Sequence, residues 1–210
     1  PIFDLGPEYG MEGVTYFTAT NIYVTPTTLS GITMNFLLSL SGGLLAGYWI
    51  SKGDPFWTYS GGLAGIIAAS AGNDLYHPMQ SLIIAGVGTA IAYKLHYWVE
   101  RTFKIDDAVG AVAVHGYAGV VGLVICGFVL WGYPSSGYGD AYAAINPMGM
   151  IIGAIIMFGV LGFLPGYIIA KILHAAGKLR IPREVELAGL DYNIMEAAKK
   201  DEKAVSSASR

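Results

Sequence analysis

Charge is scarce in this sequence. Lys, Arg, Asp and Glu make up 13% of its 210 residues, against about 25% in an ordinary soluble domain. So thin a polar coat excludes an ordinary water-soluble surface. Cysteine is nearly absent: Cys126 stands alone in an apolar run, which excludes a disulfide framework and a thiolate metal site. No His or carboxylate set has metal-ligand spacing, so no metal site is expected. There is no basic stripe with interleaved aromatics, and nucleic acid is therefore not an expected partner. A nucleophile elbow, a Walker loop, a dinucleotide fingerprint and a carboxylate pair spaced for hydrolysis are all missing. Neither an enzyme nor a bound cofactor is expected. The first residues lack a basic segment followed by an apolar one, so no signal peptide is expected, and Pro1 is compatible with removal of an initiator Met.

What is present is apolar and small. Hydrophobic residues reach 54%, there are 29 glycines, and the mean hydropathy is +0.52. This places the chain among helical membrane proteins. Five apolar segments, at about 26–50, 56–73, 78–103, 108–131 and 147–175, each approach the roughly 20 residues a spanning helix needs. The expected fold is all-α and integral to the membrane, a five-helix transmembrane bundle. Residues 1–25 read as a tail on the membrane surface with an interfacial turn near Tyr16 and Phe17. Residues 177–210 read as a polar tail with a short solvated helix over Glu196–Ala204 and a disordered end. The second segment is short, and its glycines suggest close packing rather than lipid contact. Pro165 should bend the fifth.

Positive charge then sets an expected topology. With five spans, all twelve Lys and Arg residues fall at or beyond one face. The connections Asn73–His77 and Gly132–Asn146 carry Asp74 and Asp140 but no cation. By the positive-inside rule the amino terminus is outside and the carboxy terminus cytoplasmic, and the expected location is the plasma (cell inner) membrane. Tyr48, Trp49, Phe56, Trp57, Tyr97, Trp98, Trp131 and Tyr133 lie near the segment ends and read as interfacial anchors. GxxxG spacings at Gly43/Gly47, Gly61/Gly65, Gly149/Gly153 and Gly162/Gly166 suggest tight helix pairing.

One ionisable side chain lies deep in an apolar segment: His115. Counted from Asp107 it is eight residues in, roughly 12 Å along a helix and near mid-membrane. Such a residue is costly unless it faces protein or water. It either lines an internal path or is a neutral imidazole bonded to a neighbouring helix. His77, His96 and His174 lie near segment ends and read as interfacial. Asp106 and Asp107 are expected to cap the fourth helix and pair with Arg101 or Lys104, an ion site being the alternative. Asn73-Asp74 reads as a polar turn or as an outer cation site.

Three runs carry a resemblance. SGGLAGIIAASAG (Ser60–Gly72), KIDDAVGAVAVHGYAGVVG (Lys104–Gly122) and GKLRIPREVELAGLD (Gly177–Asp191) resemble, in order, the eighth helix, the tenth helix and the cytoplasmic tail of the ammonium transporter family (Amt/MEP/Rh). The resemblance implies a trimer in which each subunit holds its own narrow apolar pore. Two inward histidines share a hydrogen bond there, and ammonium sheds its water and its proton. His115 matches the second histidine of that pair. The family fold has about eleven spans in two inverted repeats with the site between them. The five segments here resemble only its carboxy-terminal half, and the helix supplying the first pore histidine is not among them.

Two functions are therefore expected. In one, the chain supplies half of an ammonium- or ammonia-conducting pore, with His115 on its wall and a partner chain supplying the other half. In the other, it is a transport-inactive accessory or structural subunit of a larger membrane complex, derived from an ammonium transporter. A third reading is a fragment of a full-length transporter. The preserved motif around His115 favours the first. In that reading the wall near His115 is small and apolar (Ala111, Val112, Val114, Gly119).

Overall fold

A computed structural model describes residues 29–133 and 144–189. The calls on the amino-terminal tail, on Tyr16 and Phe17, and on the helix at Glu196–Ala204 lie outside these residues. The architecture is all-α. α1 spans Leu29–Ser51, α2 Pro55–Ala69, α3 Pro78–Phe103 and α4 Ala118–Val129. α5 (Pro147–Ala154), α6 (Leu164–Ala175) and the short α7 (Arg183–Ala188) follow. Among the described residues, four helical runs are long and apolar enough to cross a membrane: Ser30–Ser51, Pro78–Phe103, Val112–Val129 and Pro147–Ala175. α2 is the short one. At 15 residues it ends in a tight turn, Ser70–Gly72.

Its shortness goes with burial. Trp57, Gly61, Gly62, Ala64, Gly65, Ala68 and Ala69 of α2 are all buried. α1 approaches so closely that a Cβ on Gly65 would lie 2.7 Å from the Ser39 carbonyl oxygen. One on Gly43 would strike the carbonyl of Gly61. The GxxxG pairs of α1 and α2 thus face one another, and missing side chains convert into backbone proximity. α4 joins the same knot, with Gly122 against the Ala68 backbone. Small residues (Ala64, Ala68, Ala92, Val114, Ala118) fill the core between α2, α3 and α4.

The ends are fixed locally. Asp54 caps α2, its carboxylate accepting from the Trp57 amide at 2.9 Å, with Pro55 at the first helical position. His77 caps α3: its Nδ1 accepts from the Met79 amide at 3.2 Å, while Gln80 reaches back to the His77 amide at 2.9 Å. Before it, the Asn35 amide of α1 donates to the carbonyls of Asn73 and Tyr76 at 2.8 and 2.7 Å. Ser39 and Ser81 donate to the Asn73 side chain, each at 3.3 Å. Asn73 is therefore a structural knot holding the turn to α1 and α3.

Two stretches depart from α geometry. Val112–Tyr117, leading into α4, and Ile155–Phe163, between α5 and α6, form π-helix, a widened coil with i→i+5 bonds. Pro165 lacks an amide and stands two residues after the second widened stretch, at the start of α6. The chain divides into two compact units within that stretch, at Gly159/Val160. The first holds the bundle described above. The second comprises the rest of the widened stretch, α6 and α7; its basic cleft, of about 420 Å³, is lined by Arg180, Ile181, Arg183, Glu186 and Leu187.

Of the aromatic anchors, Trp49 (78% exposed), Trp131 and Trp98 do face outward. Trp57 does not. At 1% exposure it is a core residue, with its indole donating to the Tyr97 hydroxyl at 3.0 Å. An indole near a helix start suits an interface or a core equally well, and here Tyr97 supplies the partner that makes burial affordable.

Candidate functional site

The site is built from the end of α3, the loop that follows, and the widened stretch. α3 ends at Phe103, where Lys104 adopts a left-handed conformation (φ 56°). Residues 104–110 then run without helix. The turn closes with the Gly110 amide donating to the Asp107 carbonyl at 2.8 Å. Gly110 has φ +69° over the Phe56 ring, which a side chain there would resist. Helix resumes at Ala111.

His115 accordingly stands on the opening turn of its helix. The count from Asp107 assumed helix throughout, and the looped residues 104–110 shorten the true helical distance. The imidazole is exposed on the face of this chain, with Ala111 and Val112 exposed beside it. Ala113 and Val114 point the other way and are buried, at 0% and 3%. Val114 therefore belongs to the core against α2 and α3, not to the wall near His115. Further along, Gly119 lies under Phe158, and a Cβ there would come within 2.8 Å of the ring. An apolar groove of about 280 Å³ begins at this level, lined by Val120, Val124, Ile151 and Ala154, with Phe158 at one side.

Beneath His115 lies a buried polar cluster that the sequence did not reveal. Asp107 is 7% exposed. Its two carboxylate oxygens accept from the amides of Val112 and Ala113, each at 3.0 Å. These are the first amides of the widened stretch, which have no partner within the helix, and a carboxylate is favoured there by charge as well. Capping by Asp107 is thus realised, but its side-chain partner is neither Arg101 nor Lys104. It is His96, whose Nδ1 lies 3.4 Å from Asp107 Oδ2. Asp106 is exposed.

His96 is likewise not interfacial. It is 6% exposed, its Nε2 lies 3.3 Å from Glu100 Oε1, and its ring meets those of Trp57 and Tyr97 edge to face at 5.1 and 5.0 Å. Position alone suggested the interface, because His96 is near the end of its segment. The signal that was available was the spacing to Glu100, one helical turn on. Arg101 instead donates to the Tyr97 carbonyl at 3.0 Å and remains exposed. His174 is exposed, and His77 is spent on its cap.

No group of three or more His, Cys, Asp and Glu side chains among the described residues is arranged to hold a metal ion. Cys126 is a buried free thiol whose Sγ lies 3.4 Å from the Ala71 carbonyl oxygen. Around His115 the arrangement offers one imidazole, able to donate and accept, on a face otherwise made of small apolar groups.

Comparison with known proteins gives this geometry a context. The sequence model described as Ammonium Transporter Family matches residues 14–200. Ammonium transporter Amt1 of Methanocaldococcus jannaschii is 32% identical over 191 residues, covering 90% of this chain and 46% of that protein. Ammonium transporter Amt2 of the same organism is 37% identical over 158 residues, 73% of this chain and 35% of its own length. Ammonium transporter MEP1 of Saccharomyces cerevisiae is 31% identical over 186 residues, again 35% of its length. The chain spans less than half the length of each of these curated relatives.

Proposed function

Because the chain belongs to the ammonium transporter family, we propose that it contributes one half of a pore conducting ammonium or ammonia, the other half being supplied by a partner chain. The observation that carries this reading is the placement of His115: an ionisable side chain left exposed on an apolar face whose opposite side is packed into the bundle. A charge entering such a face loses its water at a cost of several kcal/mol or more, whereas neutral ammonia does not bear that cost. A neutral imidazole can accept a hydrogen bond from ammonium or donate one to ammonia without adding a fixed charge. The partner half supplies the facing wall and the first histidine of the pair.

In this reading the chain lies in the inner membrane, with its amino terminus outside and its carboxy terminus in the cytoplasm. The cations Lys52, Lys94, Arg101 and Lys104 follow or precede the connections at one end of the bundle, while the connection after α2 has none. The segments 26–50, 56–73, 78–103, 108–131 and 147–175 are its spans, and 177–210 its cytoplasmic tail.

The test is transport in vesicles holding the assembled protein. His115→Ala is expected to abolish methylammonium flux while native mass spectrometry shows the assembly unchanged. Flux that survives in an intact assembly overturns the pore role and leaves the accessory-subunit reading, which the same mass spectrum would identify through its partners.

A further inference from the structure

We infer that His96 is a positioning residue for His115, acting through Asp107. This rests on the reading of His115 as a pore residue. The chain of contacts is short. Asp107 holds the first two amides of the widened stretch, each at 3.0 Å, and that stretch carries His115 three residues on from Val112. Widened helical turns are less stable than α-helix and persist where their surroundings over-determine them. Here the Asp107 carboxylate holds both opening amides. A buried carboxylate in turn needs a partner, and the partner is the Nδ1 side of His96 at 3.4 Å. The other ring nitrogen, Nε2, faces Glu100 at 3.3 Å. Trp57 and Tyr97 pack edge to face against the ring at 5.1 and 5.0 Å, and the imidazole is buried between them.

The two sides of the ring have different jobs, and substitution can separate them. The amide nitrogen of an asparagine falls where Nδ1 lies; that of a glutamine reaches where Nε2 lies. His96→Asn therefore keeps a donor to Asp107 and abandons Glu100. His96→Gln does the reverse. Two readouts are taken on the full chain in lipid nanodiscs. One is hydrogen exchange at the Val112 and Ala113 amides. The other is the nitrogen NMR signature of the His115 ring, which reports its tautomer and hydrogen bonding.

His96→Gln is expected to accelerate exchange at both amides roughly fivefold to thirtyfold and to shift the His115 signals. His96→Asn is expected to preserve both. If the two variants behave alike, or if the amides are released while the His115 signals stay put, the inference is overturned. Should His96→Gln fail to fold, Asp107→Asn serves instead. It retains one acceptor oxygen, so release of one amide with a shifted His115 signature supports the proposal, and protection of both overturns it. Neither readout requires conduction. A failure of the pore reading, seen as flux in His115→Ala, is thus distinct from a failure here.

Discussion

The same small-residue spacing occurs in two regions of this chain with opposite results. In α1 and α2, Gly43, Gly47, Gly61 and Gly65 are pressed against neighbouring backbone, and no Cβ fits. Later in the chain, Gly153 and Gly159 have nothing within 4 Å of where a Cβ would stand. Burial differs in the same way: Ser81, Ile84, Ala85, Gly88, Thr89, Ala92, His96 and Val99 of α3 are buried, whereas α5 buries only Ala154. Hydrophobicity does not separate the two, because a lipid-facing surface and a packed one are equally apolar. What separates them is whether a second backbone has come close enough to exploit the missing side chains.

The largest effect should come from filling the packed side. Gly65→Leu would push α1 off α2 and is expected to cost about 3 kcal/mol or more, or to prevent folding, as measured by unfolding in mild detergent. A normal midpoint would show that the two helices are not held by this contact. The open side should be indifferent in the chain alone. Gly153→Ala is expected to leave stability unchanged or to raise it by up to about 1 kcal/mol, since alanine favours helix over glycine. The same substitution becomes informative beside the proposed partner chain: loss of co-assembly, seen by native mass spectrometry, would show that this face is covered there.

The smallest effect concerns the connection that ends the packed side. Burial raises the pKa of Asp74, against the lowering effect of a backbone hydrogen bond. A carboxyl whose folded-state value is raised favours the folded chain while it is protonated. That contribution is lost as pH rises through the raised value. Asp74→Asn is therefore expected to flatten the acid side of the stability profile slightly. An unaltered profile would mean that Asp74 is balanced by its surroundings.

Much of the fold was legible because spanning helices are written in hydropathy. The all-α membrane bundle, the short second helix and the close packing of its glycines all follow from composition and spacing. So did the oddity of His115, since an imidazole in an apolar run stands out without knowledge of its neighbours. What could not be read depended on backbone dihedrals and on distant contacts. The left-handed Lys104 and the positive φ of Gly110 keep residues 104–110 out of helix, which moves His115 to an opening turn. Lys104 is not one of the residues, glycine above all, that signal a left-handed conformation in a sequence. Val114 was placed on the wall of His115 because it is its neighbour in sequence, yet successive residues of a helix point about 100° apart, and Val114 turns into the core. His96 and Trp57 looked like interface residues because amphipathic rings suit both places. Only the α2–α3 contact decides between them.

Cys126 gives the molecule a built-in reporter. Its thiol, the one in the sequence, is shut in where the turn after α2 meets α4. A thiol reagent added to the native chain reacts only as fast as that junction opens, so the labelling rate reads the breathing of the bundle directly. Cysteines introduced elsewhere, on the face of His115 for instance, would be labelled against a silent background.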